Sequence, residues 1–355
     1  MNFEEFINTV KDTIKNYLPE EYKDAEVKLL ENRKLNTHYT GLTVTRKGDT
    51  LAPTINLNAL FENYGQQTEN NLASVMEEVA SVIQHTPGKF DIGRVMDYDS
   101  VKKNLFMKLS AAEKNADVLE HTPHITKEDL ALTFHIMLDQ GEKGTATTMI
   151  TDKMLDAYGV DLEKLYQDAM LNSPVICPVH IESINDALAT LGKTMIEEMK
   201  DAGAPPKLIQ EMEERLEEEY RNNPMTVVTN NLSVDGASVI FYPGVMDQLG
   251  ERMKGDYFIL PSSVHEILVV PDDGNISFRE LTDMVKEVNR TQVAPEDRLT
   301  DQVYHYDTAD RIFEKAGTFA ERKKQKEAEK GISADKATDR LPRPEKRHKT
   351  AEMSL

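Results

Sequence analysis

Apolar positions along this chain recur with two periods, three-to-four and two, and the points where one gives way to the other mark its elements. Phe3, Phe6, Ile7, Val10, Ile14 and Tyr17 predict an amphipathic helix over 3–17, with Glu4 and Glu5 near the positive end of its dipole. The text GLTVTRKGDTLAPTINLN then alternates around Lys47-Gly48-Asp49, as a β-hairpin does, with Pro53 favouring an edge or irregular second arm. A second helix carries Leu72, Val75, Met76, Val79, Val82 and Ile83 and stops at Pro87-Gly88. From Asn104 to Ile150 the pattern turns strand-like in NLFMKL, LALTFHIML and GTATTMI, with turn residues between them. Thr151 supplies an N-cap for a short helix that Gly159 ends, and a further helix from Leu162 is expected to stop before Pro174.

Beyond PVICPVHI, two helical stretches broken by DAGAPP form a helical hairpin at about 183–221, one face apolar and the outer face acidic. Strands are predicted at MTVVT, ASVIFY and either side of PSSVHE. Ser277 followed by Glu280 has the spacing of a capping box for a helix that buries Leu281, Met284, Val285 and Val288. A helix from Ala309 into AERKKQKEAEKG comes next, and the last 25 or so residues have no apolar repeat to pack and are expected to be disordered. These patterns predict an α+β fold: antiparallel sheet segments with packed helices in two lobes, 1–173 and 174–310, meeting near Asn172 to Pro174 and followed by a charged tail over 311–355.

Composition narrows the function classes. The chain of 355 residues has 42 Lys and Arg against 62 Asp and Glu, a net charge of −20. Thirteen of those cations but only eight of the acids lie from Arg311 onward, so an acidic body carries a basic tail. An acidic body repels polyanions, which leaves the tail as the only place for weak nucleic-acid contact. No apolar run approaches the roughly 18 to 20 residues a membrane helix needs, and the opening MNFEEFINTV lacks the features of a signal peptide. The single cysteine, Cys177, excludes an internal disulfide framework and fits a reducing compartment, so a cytoplasmic protein is expected.

Five passages in order carry a family resemblance: YTGLTVTRKGDTLAPTINLNALFENYG, ITDKMLDAYGVDLEKLYQDAMLNSP, PMTVVTN with DGASVIFYPGVM, YFILPSSVHEILVVPDD, and VNRTQVAPEDRLTDQVYHYD. Over residues 20 to 310 the chain resembles the bacterial domain of unknown function 5688 family, with a fainter similarity to the YtpQ-type family. The helical hairpin from about Gly192 to Asn222 is longer than the family pattern. The resemblance implies an intracellular bacterial protein, and it carries over no catalytic residue.

The candidate chemistry sits in GDYFILPSSVHEILVVPDD, where Ser262, Ser263, His265 and Glu266 form a polar knot between apolar runs. In a regular strand Ser263 and His265 share a face while Glu266 points to the other, which leaves Ser263 and His265 as the candidate catalytic pair of a hydrolase. The alternative is a tight turn in which the serines bond backbone and His265 and Glu266 satisfy local polar groups. His121 and His124 are candidate metal ligands through HTPH, although Pro123 disfavours the helix that would align them, and His135 is a strand histidine. No phosphate-cradling glycine motif is present, and no cofactor is expected. The first expectation is thus a non-enzymatic binding or regulatory protein with a protein or small-ligand partner and no membrane. A hydrolase using Ser263 and His265 is the alternative, and weak nucleic-acid association through the tail is a third.

Overall fold

A computed structural model describes residues 1–49, 52–66, 72–86, 92–141, 144–220 and 224–338. Helix α1 (Phe3–Thr13) opens the chain on a capping box, Asn2 accepting from the Glu5 amide while Glu5 accepts from the Asn2 amide. The final turn of the helix expected over 3–17 tightens to a 3-10 turn at Ile14–Tyr17. Strands β1 (Glu26–Lys34), β2 (Thr37–Thr45) and β3 (Ile55–Asn56) form an antiparallel sheet in that order. Helices α2 (Leu57–Gln66) and α3 (Leu72–His85) pack with α1 on its apolar side, burying Phe6, Val10, Leu42, Leu57, Met76 and Ile83 in one cluster. The hairpin read around Lys47 is present as the pairing of Leu42 with Ile55, but the long partner of β2 is β1, whose mixed text EVKLLENRK has no clean alternation. Pro87 and Gly88 lie outside the described residues.

Two short helices, α4 (Ile92–Val95) and α5 (Tyr98–Val101), lead into β4 (Leu105–Ala111). After the single turn α6 (Ala116–Leu119) come β5 (His124–Lys127), β6 (Leu130–Gly141) and β7 (Gly144–Met149), all antiparallel around the long β6. Helix α7 (Asp152–Tyr158) starts on the Thr151 cap and ends at Gly159 in the left-handed conformation, as its sequence predicts. Helix α8 (Leu162–Ile176) runs through Pro174 rather than stopping before it. Only the last turn feels the missing amide, and the buried positions Leu165, Ala169 and Ser173 hold that face against the sheet.

The third sheet is six-stranded and antiparallel, in the order β13-β12-β10-β11-β9-β8. Its first strand in the chain, β8 (Val179–Ser183), precedes the hairpin of α9 (Ile184–Asp201) and α10 (Pro206–Tyr220), which agrees with the predicted 183–221. Strand β9 (Thr226–Asn230) follows. The segment ASVIFY, expected as a strand, is instead the 3-10 helix Gly236–Phe241. Every residue of that turn is buried, so polar and apolar positions could not reveal a period. Helix α11 (Val245–Met253), β10 (Tyr257–Leu260) and β11 (Ile267–Pro271) come next, then α12 (Phe278–Thr291) on the predicted Ser277–Glu280 capping box. The expected helix from Ala309 begins later: β12 (Tyr304–Asp307) turns through Arg311 into β13 (Ile312–Lys315), and α13 (Ala316–Thr338) follows. Pairing with β12 captures residues that alone would extend the helix. Of the stretch expected to be disordered, 331–338 belongs to α13 and 339–355 lies outside the described residues.

The fold is therefore α+β with antiparallel sheets and packed helices. One apolar core joins the last two sheets, with Leu105, Phe134 and Leu165 in the same cluster as Val228, Tyr257 and Tyr304. Residues on both sides of position 173 share it. No helix among the described residues is long and apolar enough to cross a membrane.

Candidate functional site

The polar knot occupies the connection 261–266 between β10 and β11, and regular pairing starts only at Ile267. Strand alternation thus does not govern Ser263 and His265. Backbone bonds tie the connection down on two sides. The Gly236 and Ala237 amides donate to the carbonyls of His265 and Val264, and the Val264 amide donates to the Asp297 carbonyl at 2.8 Å. Ser263 is buried, and its hydroxyl accepts the His265 amide at 3.0 Å.

The His265 imidazole is engaged at both nitrogens. Nδ1 accepts the Asp235 amide at 3.1 Å, which assigns the ring proton to Nε2, 3.2 Å from Oδ1 of Asp297. Asp235 in turn holds Lys108 of β4 at 2.6 Å. A polar chain from Lys108 through Asp235 and His265 to Asp297 thus joins the second sheet to the third. Glu266 is raised above the usual carboxylate range, first by burial and then by the charge of Asp297, with His265 and the Ser263 hydroxyl acting against the shift. The structure therefore brings the distant carboxylate Asp297 to His265, while the Ser263 hydroxyl accepts a backbone amide and bonds the Glu266 carboxylate. An activated serine needs its hydroxyl on a ring nitrogen.

The other histidines are dispersed. His121 is exposed in the turn after α6, and its carbonyl accepts the Asp152 amide. His124 opens β5 with Nδ1 bonded to the Thr122 carbonyl at 2.8 Å. His135 is buried on β6 with Nε2 3.0 Å from the Thr133 hydroxyl, and burial, reinforced by Lys108, drives its pKa well down. Among the described residues no group of three or more His, Cys, Asp or Glu is placed to hold a metal ion. Cys177 is buried beside Phe106 and Met137.

A concave site lies elsewhere. The β5–β6 turn, α8, the 3-10 helix, the start of α11 and the β12–β13 turn enclose a cleft of about 460 Å³. Tyr166, Phe241 and Phe313 form its apolar wall. Phe313 meets Phe241 edge-on at 5.2 Å and stacks on Tyr304 at 4.9 Å, so its ring is locked. Asp247 accepts the Tyr306 hydroxyl at 2.9 Å and pairs with Arg311 at 3.3 Å. Burial, with help from Asp247, pushes the Tyr306 hydroxyl up to about 12, so it stays a donor at neutral pH. Lys127 and Glu128 complete the charged lining, which sums to neutrality in a chain of net charge −20. Glu128 (φ 55°) and Arg311 (φ 54°) hold left-handed backbone at the lips. These residues are scattered from 127 to 313 with no common spacing, so the sequence held no signal that would gather them.

Antiparallel sheets that share a core, with helices packed on them, define an α+β protein, and the aromatic cleft is a concave site on it. A family model covers residues 3–308, and the chain belongs to that family, described as a family of unknown function, DUF5688. No curated protein and no solved structure matches the chain.

Proposed function

We propose that this is a binding or regulatory protein of the bacterial cytoplasm, taking a small ligand or a short peptide segment in the cleft between the β5–β6 turn and the β12–β13 turn. The observation that carries this reading is the pairing of locked aromatic walls with a charge-neutral polar lining in a strongly acidic chain. An aromatic wall favours a planar group, worth about 0.5–1.5 kcal/mol beyond its buried area. Because Lys127 and Arg311 offset Glu128 and Asp247, the lining suits an uncharged or zwitterionic ligand better than a polyanion or a cation. The volume falls in the range of small-molecule sites. Hydrolysis draws less support, since the Ser263 hydroxyl and the His265 ring each bond elsewhere.

The test is ligand-observed NMR on the full chain with aromatic amino acids, dipeptides and nucleosides, repeated on Thr126→Trp, which places a bulky ring on an exposed position lining the cleft. Saturable binding of a member of this set that Thr126→Trp abolishes is expected. Absence of any binder, or binding indifferent to the substitution, would sink the reading.

A further inference from the structure

A second cavity, of about 320 Å³, lies where the end of β1 and the start of β2 meet the segment leading into α6. Its walls are fixed by one buried side chain. Asn115, 2% exposed, donates to the Asn36 side chain and to the Ala111 carbonyl, both at 2.8 Å, and accepts the Asn36 amide. Asn36 itself holds the left-handed conformation (φ 62°) that turns β1 into β2. The first sheet and the second are thereby clamped together at this point.

The lining carries Arg33, Lys34, His38 and Lys114 against a single carboxylate, Asp117. Asp117 is taken by Arg33 at 3.2 Å, and His38 faces Glu31 at 3.2 Å. Lys34 and Lys114 remain. Among the described residues neither has a carboxylate within ion-pair distance: the Lys34 ammonium lies 5.8 Å over the Tyr39 ring, and that of Lys114 donates to the Pro295 carbonyl at 2.6 Å. A lysine ammonium has three N–H donors, so each retains donors for a ligand. Lys114 is also lowered below the usual lysine range, first by burial and then by the charge of Arg298, with Glu296 and Asp297 acting against the shift. The lining itself carries more cations than carboxylates although the chain as a whole is acidic. At physiological salt, charges beyond about 8 Å are largely screened, so the lining outweighs the distant acidic surface.

We propose that this cavity is an anion site for a phosphate group, free or carried by a small molecule, with Lys34 and Lys114 as its charged donors. Two ammonium groups without a carboxylate partner match the charge of about −1.5 to −2 that a phosphate monoester carries near pH 7. The concave shape and small volume suit a compact group rather than a polymer backbone. This site is separate in residues and in ligand chemistry from the aromatic cleft, so either stands without the other.

Isothermal titration calorimetry on the full chain tests it, with inorganic phosphate and glycerol phosphate as probes in chloride buffer of constant ionic strength. One saturable site is expected. Lys34→Gln and Lys114→Gln should each weaken it by about tenfold or more, the scale of one charge-assisted hydrogen bond, while Lys286→Gln on α12 leaves it unchanged. Tighter binding of the ester would identify a carried phosphate and equal binding a free one. If Lys114→Gln disturbs folding by circular dichroism, Lys34→Gln decides alone. No saturable binding, wild-type affinity in Lys34→Gln, or an equal loss in Lys286→Gln would overturn the proposal.

Discussion

Oδ1 of Asp297 lies 3.2 Å from Nε2 of His265, and the opposite nitrogen of the same ring takes the Asp235 amide. A carboxylate on a histidine is half of a catalytic arrangement, but here the nitrogen that would receive a proton from a nucleophile is filled by backbone. The pair acts as a joint. It ties the connection 261–266 to the segment around Asp297 and, through Asp235, to Lys108 on the second sheet.

A serine-reactive phosphonate should therefore leave the protein unlabelled, and Ser263→Ala should look the same. The substitution removes the acceptor of the half-buried His265 amide, so a loss of about 1 kcal/mol in denaturant unfolding is expected. An adduct on the wild type that disappears in Ser263→Ala would restore the hydrolytic reading.

Gly236 offers a sharper test of how the core is joined. A Cβ there would stand 2.5 Å from the His265 carbonyl oxygen and 2.7 Å from the Asn230 amide nitrogen, and would collide with the Thr229 hydroxyl. Two of these neighbours are backbone and cannot rotate away. Gly236→Ala should cost about 2 kcal/mol or more, against near neutrality for Gly65→Ala, whose Cβ meets open space. Equal midpoints for the two variants in urea would show that the 3-10 helix does not sit so close to β9.

Stability should fall as pH drops from about 7 toward 5. His305 is fully buried beneath Phe319, and burial lowers its pKa even though Asp272, at 3.2 Å, pulls the other way. His135 is lowered more strongly. In the unfolded chain both bind protons near the ordinary value of about 6.5, so the unfolded state binds more protons than the native one below that pH and acid favours unfolding. Glu266, raised by burial, acts with the opposite sign, but from an ordinary carboxylate value of about 4.3 and so at lower pH. Urea midpoints at pH 7.5 and 5.5 measure the effect, and the drop should shrink in His305→Gln. A midpoint that is flat or rises on acidification would contradict the placement of both histidines.

Local text carried most of the regular elements. Helix α12 announced itself through Ser277 and Glu280, α7 through Thr151 and Gly159, and β4 and β6 through their apolar runs. Where the structure departs from the sequence pattern, tertiary context decides. In ASVIFY every position is buried, so period vanished, and at 309–315 the pairing of β13 with β12 overrode helical propensity. Pro174 signals a helix stop in the sequence because its missing amide is a local fact, whereas the packing of Leu165, Ala169 and Ser173 that carries α8 past it is not.

The site divides in the same way. Ser263, His265 and Glu266 stood together in the text, and so did HTPH, because neighbours in sequence can be inspected for chemistry. Asp297 on His265, Asp247 on Arg311, and Lys34 in one cavity lining with Lys114 could not be read there, since each joins elements whose distance is set only when sheets pack. Composition and periodicity are properties of the chain and determined the α+β class, the acidic body and the caps. Cavities and charge pairs are properties of the gaps between elements, so only the packed fold decided where a ligand has room and which charges remain free to meet it.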